Sequence, residues 1–488
     1  EWTDVGVLRQ LRRRSLARLR RETEPVDQAV LGRLTTTWQG VVRRRQGSDA
    51  LLDVIEQLQG SPLAASILET EILPARIEGY DPSDLDSLAA AGEVIWVGVE
   101  PLGDRDGRVA LYLADQLPKL IPPNVRLKPD ATGDIGNDPR ESAILDHLRS
   151  QGASFFGPVH EASGGGYPAE TVRTLWDLVW RGLITNDTFH VLRAFTEMRA
   201  PRRRGRRHEV TTFRSRRSAP PSAEGRWTLV ARPFPPSPRL RRTAEASAEA
   251  GQDGDRGAES PALQTSTAWA AAWAQQLLAR HGVLTREAVA AETVAGGFGV
   301  VYPVLKVMEE RGKIRRGYFV AGLGATQFAL PGALDLLRSL REPQIEESSP
   351  EVVVLSATDP ASPYGAAIKW SAFTSDEASA RQAEVSRGPT RTVGATVILV
   401  NGALGAYLAR GDRMLLTFLP EAEPQRSRTA QAIARALRER SRMPVGEEQA
   451  PRGMLIEEID GVPPSAHPMA PYLAKVGFIS GAMGFTGH

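Results

Sequence analysis

Cysteine is absent from the 488-residue sequence, which excludes a disulfide framework and any zinc site built on cysteine ligands. Long hydrophobic runs are absent as well. No apolar stretch approaches the roughly 18 residues that a membrane span needs, and no signal peptide is visible. Aromatic residues are sparse at 6%, whereas 41% hydrophobic and 24% charged residues are typical of a folded globular protein. The sequence therefore predicts a cytoplasmic protein with no membrane partner.

The signatures of common enzymes are missing too. No G-x-x-x-x-G-K-[ST] phosphate loop occurs, so an ATP-driven motor is not expected in this chain. No G-x-S-x-G nucleophile turn occurs, and the seven histidines show no paired-ligand spacing. We therefore predict neither a metal site nor a cofactor here. Because the chain begins with Glu1 rather than methionine, we expect a fragment of a longer protein.

The net charge is only +2, but arginine is concentrated locally. Clusters lie at Arg9–Arg21, Val41–Arg45 and Arg199–Ser218, and an acidic tract lies at Ala244–Ser260. Local basic patches favour nucleic-acid binding more directly than the whole-chain charge does. For the third cluster, a solvated linker remains the alternative.

One pattern, L-x-x-[LM]-x-x-x-G-x-[VI], occurs three times: LDSLAAAGEV, LWDLVWRGLI and LKVMEERGKI. The two apolar positions have the spacing of a buried helix face. The glycines, Gly92, Gly182 and Gly312, fall where a helix should end in the left-handed conformation. Helical segments precede each copy and a β-prone run follows, which is the element order of a winged helix.

After Glu351 the sequence changes to short β-rich runs, including VILVNGALGAYL with a hairpin signal at Asn401–Gly402. We therefore predict an α+β protein with tandem winged-helix domains followed by a small β-barrel. The predicted boundaries are a basic helical segment (1–45), a first winged helix (46–125), a second (138–200), an arginine-rich and Pro/acidic linker (201–262), a third winged helix (263–342), and a β-barrel with C-terminal helices (350–488).

The third repeat carries cations and aromatics that its siblings lack. Its wing reads KIRRGYFVAG, whereas the sibling runs VIWVG and LITNDTF have no arginine pair. Strand alternation puts Arg315 and Arg316 on opposite faces, and we expect Arg315 to contact DNA first. The predicted DNA-binding residues are Lys306, Arg311, Lys313, Arg315, Arg316, Tyr318, Arg173, Thr185 and Asn186.

Three residues are candidates for chemistry. Gln57 and Gln59 can meet one ligand only if a helix ends between them, which the following Gly60 permits; the alternative is a pair of exposed glutamines at a helix end. Asp359, in SATDPASPYG, can serve as a general base at a strand end. Its alternative role is to shape an Asp-Pro turn.

Long stretches of the sequence resemble the C-terminal part of the large helicase-related (Lhr) proteins of bacteria. These stretches include QGASFFGPVHEA, LWDLVWRGLITNDTFHVLR, the segment from GVLTREAVAAE to GLGATQFA, and SATDPASPYGAAIKW. The resemblance runs from about Leu8 to Phe478 and excludes the linker Ser218–Pro261. Lhr proteins are superfamily-two DNA repair helicases, so the resemblance implies an ATP-dependent 3′–5′ helicase as the parent protein.

The resemblance has further implications. ATP and Mg²⁺ are expected only in the motor part outside this chain, and the helicase core is an expected partner. The architecture is similar to that of winged-helix and β-barrel DNA glycosylases. Those glycosylases carry a catalytic Gln-apolar-Gln motif, and Gln57-Leu58-Gln59 of this chain fits it. Since glutamine orients water but is a poor base, Asp359 competes with it for the catalytic role. The family also implies a homo-oligomer.

Three functions follow as hypotheses. The first is a DNA-binding and oligomerisation module of a repair helicase that engages single-stranded or damaged DNA. The second adds glycosylase-like base excision in a channel between the winged helices and the barrel. The third is a winged-helix transcription regulator, which the lack of an effector domain disfavours.

Overall fold

The structure, a computed structural model, describes residues 24–47, 49–121, 138–197, 219–230, 261–292, 294–341, 349–370, 388–445 and 450–487. The chain divides into two compact units. Unit 2 is Arg44–Gln276, and unit 1 joins the chain up to Arg43 to the segment from Leu277 onward. The arginine clusters Arg9–Arg21 and Arg199–Ser218 and the acidic tract Ala244–Ser260 lie outside the described residues.

The described chain enters unit 1 with helix α1 (Gln28–Trp38), which buries Val30, Leu31 and Leu34 along one face. It then crosses into unit 2, whose first domain contains α2 (Asp49–Leu58), β1 (Leu63–Ala64), α3 (Ala65–Ile67) continuing as a π-helical turn (Leu68–Ile72), α4 (Pro82–Ala90), β2 (Val94–Pro101), β3 (Gly107–Leu113) and α5 (Leu117–Leu120). The three strands are antiparallel in the order β1-β3-β2. This is the predicted winged-helix topology, in which β2 and β3 form the wing.

The middle domain repeats that topology. Its elements are α6 (Pro139–Gln151), β4 (Ser154–Phe155), α7 (Phe156–Ala162), α8 (Pro168–Trp180), β5 (Ile184–Asn186), α9 (His190–Glu197) and β6 (Arg226–Leu229). The strand order is β4-β6-β5. Strand β6 falls inside the region predicted as a linker (201–262). The sequence marks GRWTLVARPF (Gly225–Phe234) as a candidate strand, and β6 lies within it, but its role in the wing was not predicted. Helix α9 and further chain separate the two wing strands, so no local hairpin signal marks them.

The third domain contains α10 (Pro261–His281), β7 (Val283–Leu284), α11 (Arg286–Ala291), α12 (Gly297–Glu310), β8 (Arg315–Gly317), β9 (Gln327–Ala329) and α13 (Pro331–Ser339). Helix α10 begins in unit 2 and reaches unit 1 at Leu277. The strand order, β7-β9-β8, again follows the repeat. The three repeat glycines have φ values of 69°, 67° and 71° at Gly92, Gly182 and Gly312, so the predicted left-handed helix ends are confirmed.

The C-terminal domain of unit 1 is built from β10 (Val352–Ser356), β11 (Thr396–Val400), β12 (Ala403–Leu408), β13 (Met414–Thr417), α14 (Gln425–Arg442), β14 (Pro444–Val445), β15 (Ala450–Pro451), β16 (Met454–Ile456), β17 (Glu458–Ile459), α15 (Ala470–Lys475), β18 (Ile479–Gly481) and β19 (Gly484–Gly487). Five strands form one sheet in the order β10-β11-β12-β13-β17, and three form another in the order β16-β19-β18. Asn401 and Gly402 both have positive φ, 51° and 78°, which confirms the predicted two-residue hairpin turn.

The predicted closed barrel is not observed in the described parts of 349–487. Strands β10 and β17 lie at opposite edges of the five-stranded sheet and do not pair with each other. Helix α14 packs against the sheet, where its Ile433 and Leu437 share a core with Ile398, Leu408 and Ile456. An amphipathic helix therefore covers a face that a barrel would close with its own strands.

Helix α1 belongs to this architecture and does not form a separate basic segment. At Gly32 an added Cβ would lie 2.0 Å from the carbonyl oxygen of Gly402, so α1 and the β11–β12 turn are in backbone contact. Val26 pairs with Val320 of the third domain. The described part of the predicted segment 1–45 is thus built mainly into unit 1.

Candidate nucleic-acid interface

The third helix of a winged helix and its wing are the elements that normally reach DNA. The exposure and charge of these elements therefore decide which of the three domains is available to bind DNA. In the first domain this helix is α4. It carries Asp84 and Asp86 and no basic residue. Arg193 of α9 donates to Asp86 Oδ2 at 2.8 Å and to Glu69 at 2.6 Å. An acidic helix whose carboxylate is paired within the protein offers little attraction to phosphate.

In the middle domain the corresponding helix is α8, and seven of its 13 residues are buried. Its Trp176 stacks on Phe195 with ring centroids 4.2 Å apart and on Trp96 of the first wing at 6.2 Å. The first wing lies directly on α8, because a Cβ on Gly98 would be 2.3 Å from the carbonyl oxygen of Val179. Packing between the two domains therefore occupies much of this helix, although the predicted Arg173 is exposed on it.

The same packing places Thr185 and Asn186 in the interior, where both are buried. The hydroxyl of Thr185 donates to the carbonyl of Trp96. Asn186 Nδ2 donates to Glu224 O at 2.9 Å, and its Oδ1 accepts from Thr188 N at 3.0 Å. These two side chains do not face solvent as the sequence prediction expected, because the first wing covers the start of the middle one. The density of tryptophan in LWDLVW was the available signal that this helix is a packing element.

In the third domain the helix is α12, and only Val301 and Leu305 are buried among its 14 residues. The predicted contact residues at its end and on the wing are all exposed: Lys306, Arg311, Lys313, Arg315, Arg316 and Tyr318. Lys306 Nζ lies 3.9 Å from Glu310 Oε1, a surface pair that contributes little to stability. These residues lie close together in the chain, at one helix end and on one strand, and all but Tyr318 are cationic. We call this group, Lys306–Tyr318, the third wing surface.

The two arginines of β8 differ in their surroundings. The guanidinium of Arg316 lies 6.0 Å from the centroid of the Phe328 ring and 3.9 Å from Glu309 Oε2, so it is drawn onto its own domain. For Arg315, no side-chain hydrogen bond or ion pair is found among the described residues. The prediction that Arg315 contacts DNA before Arg316 is compatible with this difference and stays a prediction.

A buried glutamine holds the wing loop in place. Gln327 Oε1 accepts from the backbone N–H groups of Phe319 and Val320, both at 2.9 Å. Its Nε2 donates to Val320 O at 2.9 Å and to Gly324 O at 3.1 Å. Sequence analysis missed Gln327; the signal was a polar residue at the start of the apolar strand QFA. Four hydrogen bonds from one side chain fix the loop before any ligand arrives.

At the start of α12 a cavity of about 550 Å³ opens to the surface, lined by Arg286, Ala290, Gly296, Gly297, Phe298, Gly299 and Tyr302. It was not singled out from the sequence. The cavity lies between α11 and the first turns of α12, on the helix-turn-helix of the third domain.

The two catalytic candidates in unit 2 have different environments. Helix α2 ends at Leu58, so the condition that the helix terminate between Gln57 and Gln59 is met. Gln59 is buried; its Oε1 accepts from Leu113 N at 3.0 Å and its Nε2 donates to Glu56 O at 3.3 Å. Gln57 is half-buried, and its Oε1 accepts from Arg45 Nη2 at 3.4 Å. Gln59 thus joins the end of α2 to strand β3.

These bonds give a prediction for stability. Replacing Gln59 by alanine should lower the free energy of unfolding by about 1–3 kcal/mol, because the partly buried N–H of Leu113 loses its acceptor. Gln57→Ala is the matched control and should change it by about 0.5 kcal/mol or less. Urea unfolding followed by tryptophan fluorescence measures both. Equal effects of the two substitutions would contradict a structural role specific to Gln59.

The third candidate, Asp359, lies in unit 1 and is buried. Its Oδ1 accepts from Ala361 N at 2.7 Å, which is the turn-shaping role considered from the sequence. Arg391 fixes the same loop, donating to four backbone carbonyl oxygens at 2.9–3.2 Å. The acceptors are those of Thr358, Asp359, Ser362 and Tyr364. Arg391 was not found from the sequence, because nothing local connects it to a loop roughly thirty positions earlier.

The residues that the structure describes contain neither a cluster of metal ligands nor a membrane-spanning helix. No group of three or more histidine, cysteine, aspartate or glutamate side chains in these ranges could hold a metal ion. Within the same ranges, no helix combines the length and the apolar character that crossing a membrane requires.

Comparison with known proteins shows which proteins this chain resembles. Models of the winged-helix domain of the large helicase-related protein match residues 26–114 and 263–349. A relative from Mycolicibacterium smegmatis, described as an Lhr helicase and probable uracil glycosylase, is 38% identical over 471 residues, 95% of this chain. The chain therefore contains two Lhr winged-helix domains and is similar, over nearly its whole length, to part of an Lhr protein. The resemblance seen in the sequence is therefore confirmed.

A second Lhr relative, from Escherichia coli, is described as an Lhr helicase/uracil glycosylase and is 32% identical over 519 residues, 99% of this chain. The chain spans 28% and 30% of the lengths of these two relatives. A solved structure, the DNA glycosylase AlkZ of Streptomyces sahachiroi, aligns with a TM-score of 0.44 and 15% identity, covering 85% of this chain and 97% of AlkZ. The first Lhr domain match begins at residue 26, so it includes helix α1.

Proposed function

We propose that this chain is a DNA-binding module of an Lhr-family helicase and that it binds single-stranded or damaged DNA through the third wing surface. One observation carries the proposal. Of the three helices in the DNA-reading position, α12 alone combines exposure with a cationic wing, whereas α4 is acidic and α8 is largely covered. Lysine and arginine on such a surface bind phosphate without reading sequence.

The salt dependence of binding tests this proposal. Each phosphate contact adds about 0.9 to the slope of log K against log salt for duplex DNA and about 0.7 for single strands. The double variant Lys313→Ala, Arg315→Ala should therefore flatten the slope by about 1.4–1.8 and weaken binding at low salt. Fluorescence anisotropy with labelled oligonucleotides at several salt concentrations gives the slope.

Arg413→Ala is the matched control, because Arg413 is an exposed arginine of unit 1 outside the third domain. It should leave the slope unchanged. Arg316→Ala should have a smaller effect than Arg315→Ala, since Arg316 is held by Phe328 and Glu309. A slope that stays the same in the double variant would exclude the third wing surface as the contact.

Base excision is the second candidate function, favoured by the description of the Escherichia coli relative as an Lhr helicase/uracil glycosylase and of the Mycolicibacterium smegmatis relative as an Lhr helicase and probable uracil glycosylase. Such a reaction breaks the bond between C1′ and the base while water adds to C1′, so a carboxylate that accepts the water proton is the natural general base. Asp359 supplies a carboxylate, whereas Gln57 and Gln59 can only orient water. We therefore place Asp359 first among the three candidates.

One substitution tests whether Asp359 is the general base of this reaction. Asp359→Asn keeps an oxygen that can accept from Ala361 N–H, removes the charge and replaces the other oxygen by an amide nitrogen, which cannot serve as a base. We expect strand breakage of a uracil-containing oligonucleotide after alkali with the parent chain, and loss of it in Asp359→Asn but not in Gln57→Ala. Full activity of Asp359→Asn would exclude Asp359 as the base, and no breakage with the parent chain would exclude the activity for this chain.

The remaining expectations depend on the longer protein. We expect the part of the parent that lies outside this chain to hold the ATP- and Mg²⁺-dependent motor and to use this module as its DNA anchor. We also keep the expectation of a homo-oligomer, which light scattering of the purified chain measures directly; a monomer at all concentrations would contradict it.

A further inference from the structure

Tyr318 is an aromatic residue placed on the surface of the wing. Its side chain is 43% exposed. It directly follows β8, beside the cations of the third wing surface. Among the described residues its ring makes no aromatic contact and does not belong to the buried core. Packing of the fold therefore does not account for the position of this ring.

The ring of Tyr318 is nevertheless held in place. Its hydroxyl accepts a hydrogen bond from Gly322 N at 2.8 Å, across the turn of the wing loop. The backbone that follows Tyr318 is fixed by Gln327, which hydrogen-bonds to Phe319, Val320 and Gly324. An exposed ring that is already fixed loses little conformational entropy when a second ring stacks on it.

The first wing shows that the topology does not require such a residue. The segment between β2 and β3 reads LGDRD and has no aromatic residue. Its Asp106 is used internally, because Oδ1 accepts from Ser66 N at 3.1 Å and from Gly107 N at 2.9 Å. The third wing has instead an exposed ring with Lys313, Arg315 and Arg316 close by in the chain. This combination of stacking face and cations is the one that binds single-stranded nucleic acid.

We propose that Tyr318 is a stacking platform for an unpaired base, so that the third wing surface prefers single-stranded DNA to duplex DNA. The proposal rests on the proposed function and specifies its substrate. In a duplex the base faces are covered by their neighbours, and only the phosphates remain for Lys313 and Arg315. In a single strand the same cations hold the backbone while the ring of Tyr318 takes a base.

The test compares two oligonucleotides on the intact chain: fluorescein-labelled oligothymidine of about 16 nucleotides and the same strand annealed to its complement. Tyr318→Ala should weaken single-strand binding by on the order of tenfold at every salt concentration, because stacking is not an ionic contact. Its log K against log salt slope should stay unchanged, and duplex binding should change by less than about twofold. Tyr318→Phe keeps the ring, and should retain most of the single-strand affinity.

Tyr167→Ala is the matched control, because Tyr167 is also an exposed tyrosine, 77% exposed, in unit 2; it should leave both affinities unchanged. A 2-aminopurine placed in the strand should be quenched on binding to the parent chain and not to Tyr318→Ala. Equal losses for single strand and duplex would overturn the proposal in favour of a role in wing folding. Unchanged affinity of Tyr318→Ala for both oligonucleotides would also overturn it. In that case a flatter log K against log salt slope in the double variant Lys313→Ala, Arg315→Ala would still support the third wing surface as the DNA contact.

Discussion

Replacing Glu292 by glutamine is expected to lower the free energy of unfolding of unit 1 by about 3–5 kcal/mol. Glu292 is buried at the end of α11, where Oε2 accepts from Arg280 Nη1 and Oε1 lies 2.7 Å from His281 Nε2. Arg280 is fully buried. The amide keeps the size of the side chain but removes the negative charge that compensates a buried guanidinium, and breaking such a pair from one side is costly.

Urea unfolding, with hydrogen exchange of α10 and α11 as the local readout, measures this effect. The control is Glu310→Gln, an exposed carboxylate on α12, which should change stability by about 0.5 kcal/mol or less. A Glu292→Gln chain as stable as its parent would show that the buried cluster makes no net contribution.

The same residue sets a dependence on pH. Burial by itself would raise the pKa of Glu292, but the charge of Arg280 and the charge and hydrogen bond of His281 outweigh it and lower the pKa to about 2. In the unfolded chain the value is 4.5. The stabilisation is therefore complete above about pH 4.5 and is lost as pH falls toward about 2, for a total of about 3 kcal/mol. Glu292→Gln should lose that part of the acid dependence, and parallel curves for parent and variant would contradict the assignment.

Gly98→Ala should destabilise unit 2 by about 1–3 kcal/mol, because the added methyl group has no room. Its carbon would lie 2.3 Å from the carbonyl oxygen of Val179 and 2.8 Å from both the carbonyl carbon and Cγ1 of that residue, so it meets backbone as well as side chain. The first wing must then move away from α8. Because Trp96, Trp176 and Trp180 lie in or near this contact, tryptophan fluorescence reports the change directly.

Gly157→Ala in α7 is the matched control within the same unit. No heavy atom lies within 4 Å of a Cβ added there, and alanine favours a helix over glycine by about 0.5–1 kcal/mol. This variant should be as stable as the parent or slightly more so. If Gly98→Ala unfolds with the same midpoint and the same fluorescence as the control, the two domains of unit 2 are not packed as the structure shows.

Several elements follow from local chemistry alone and were predictable. The glycines at the ends of α4, α8 and α12 stop each helix because only glycine enters the left-handed region without strain. The Asn401–Gly402 turn joins β11 to β12 for the same reason. Thr285 is the N-cap of α11, and its hydroxyl oxygen accepts from Ala288 N at 3.1 Å. In each case the controlling atoms lie within a few residues of one another, so the sequence reveals them directly.

Other features depend on residues far apart in the chain. Strand β6 pairs with β5 across α9 and further chain, so it looked like linker. The closed barrel was predicted from strand spacing alone, whereas the packing of α14 on the sheet depends on long-range burial. Likewise Arg391 and Gln327 fix loops by side-chain bonds that no short motif encodes.

The sequence by itself determined the winged-helix repeat, the resemblance to Lhr proteins and the cationic wing at Lys313, Arg315 and Arg316, because hydrophobic period, glycine position and charge are local properties. Tertiary structure decided that packing covers much of α8, the third helix of the middle repeat, whereas α12 stays exposed. Thr185 and Asn186 resembled a DNA-facing wing in the sequence, yet the first wing packs over them and their side chains hydrogen-bond inside the protein. Exposure is a property of what lies against a residue, and only the folded chain brings those neighbours together.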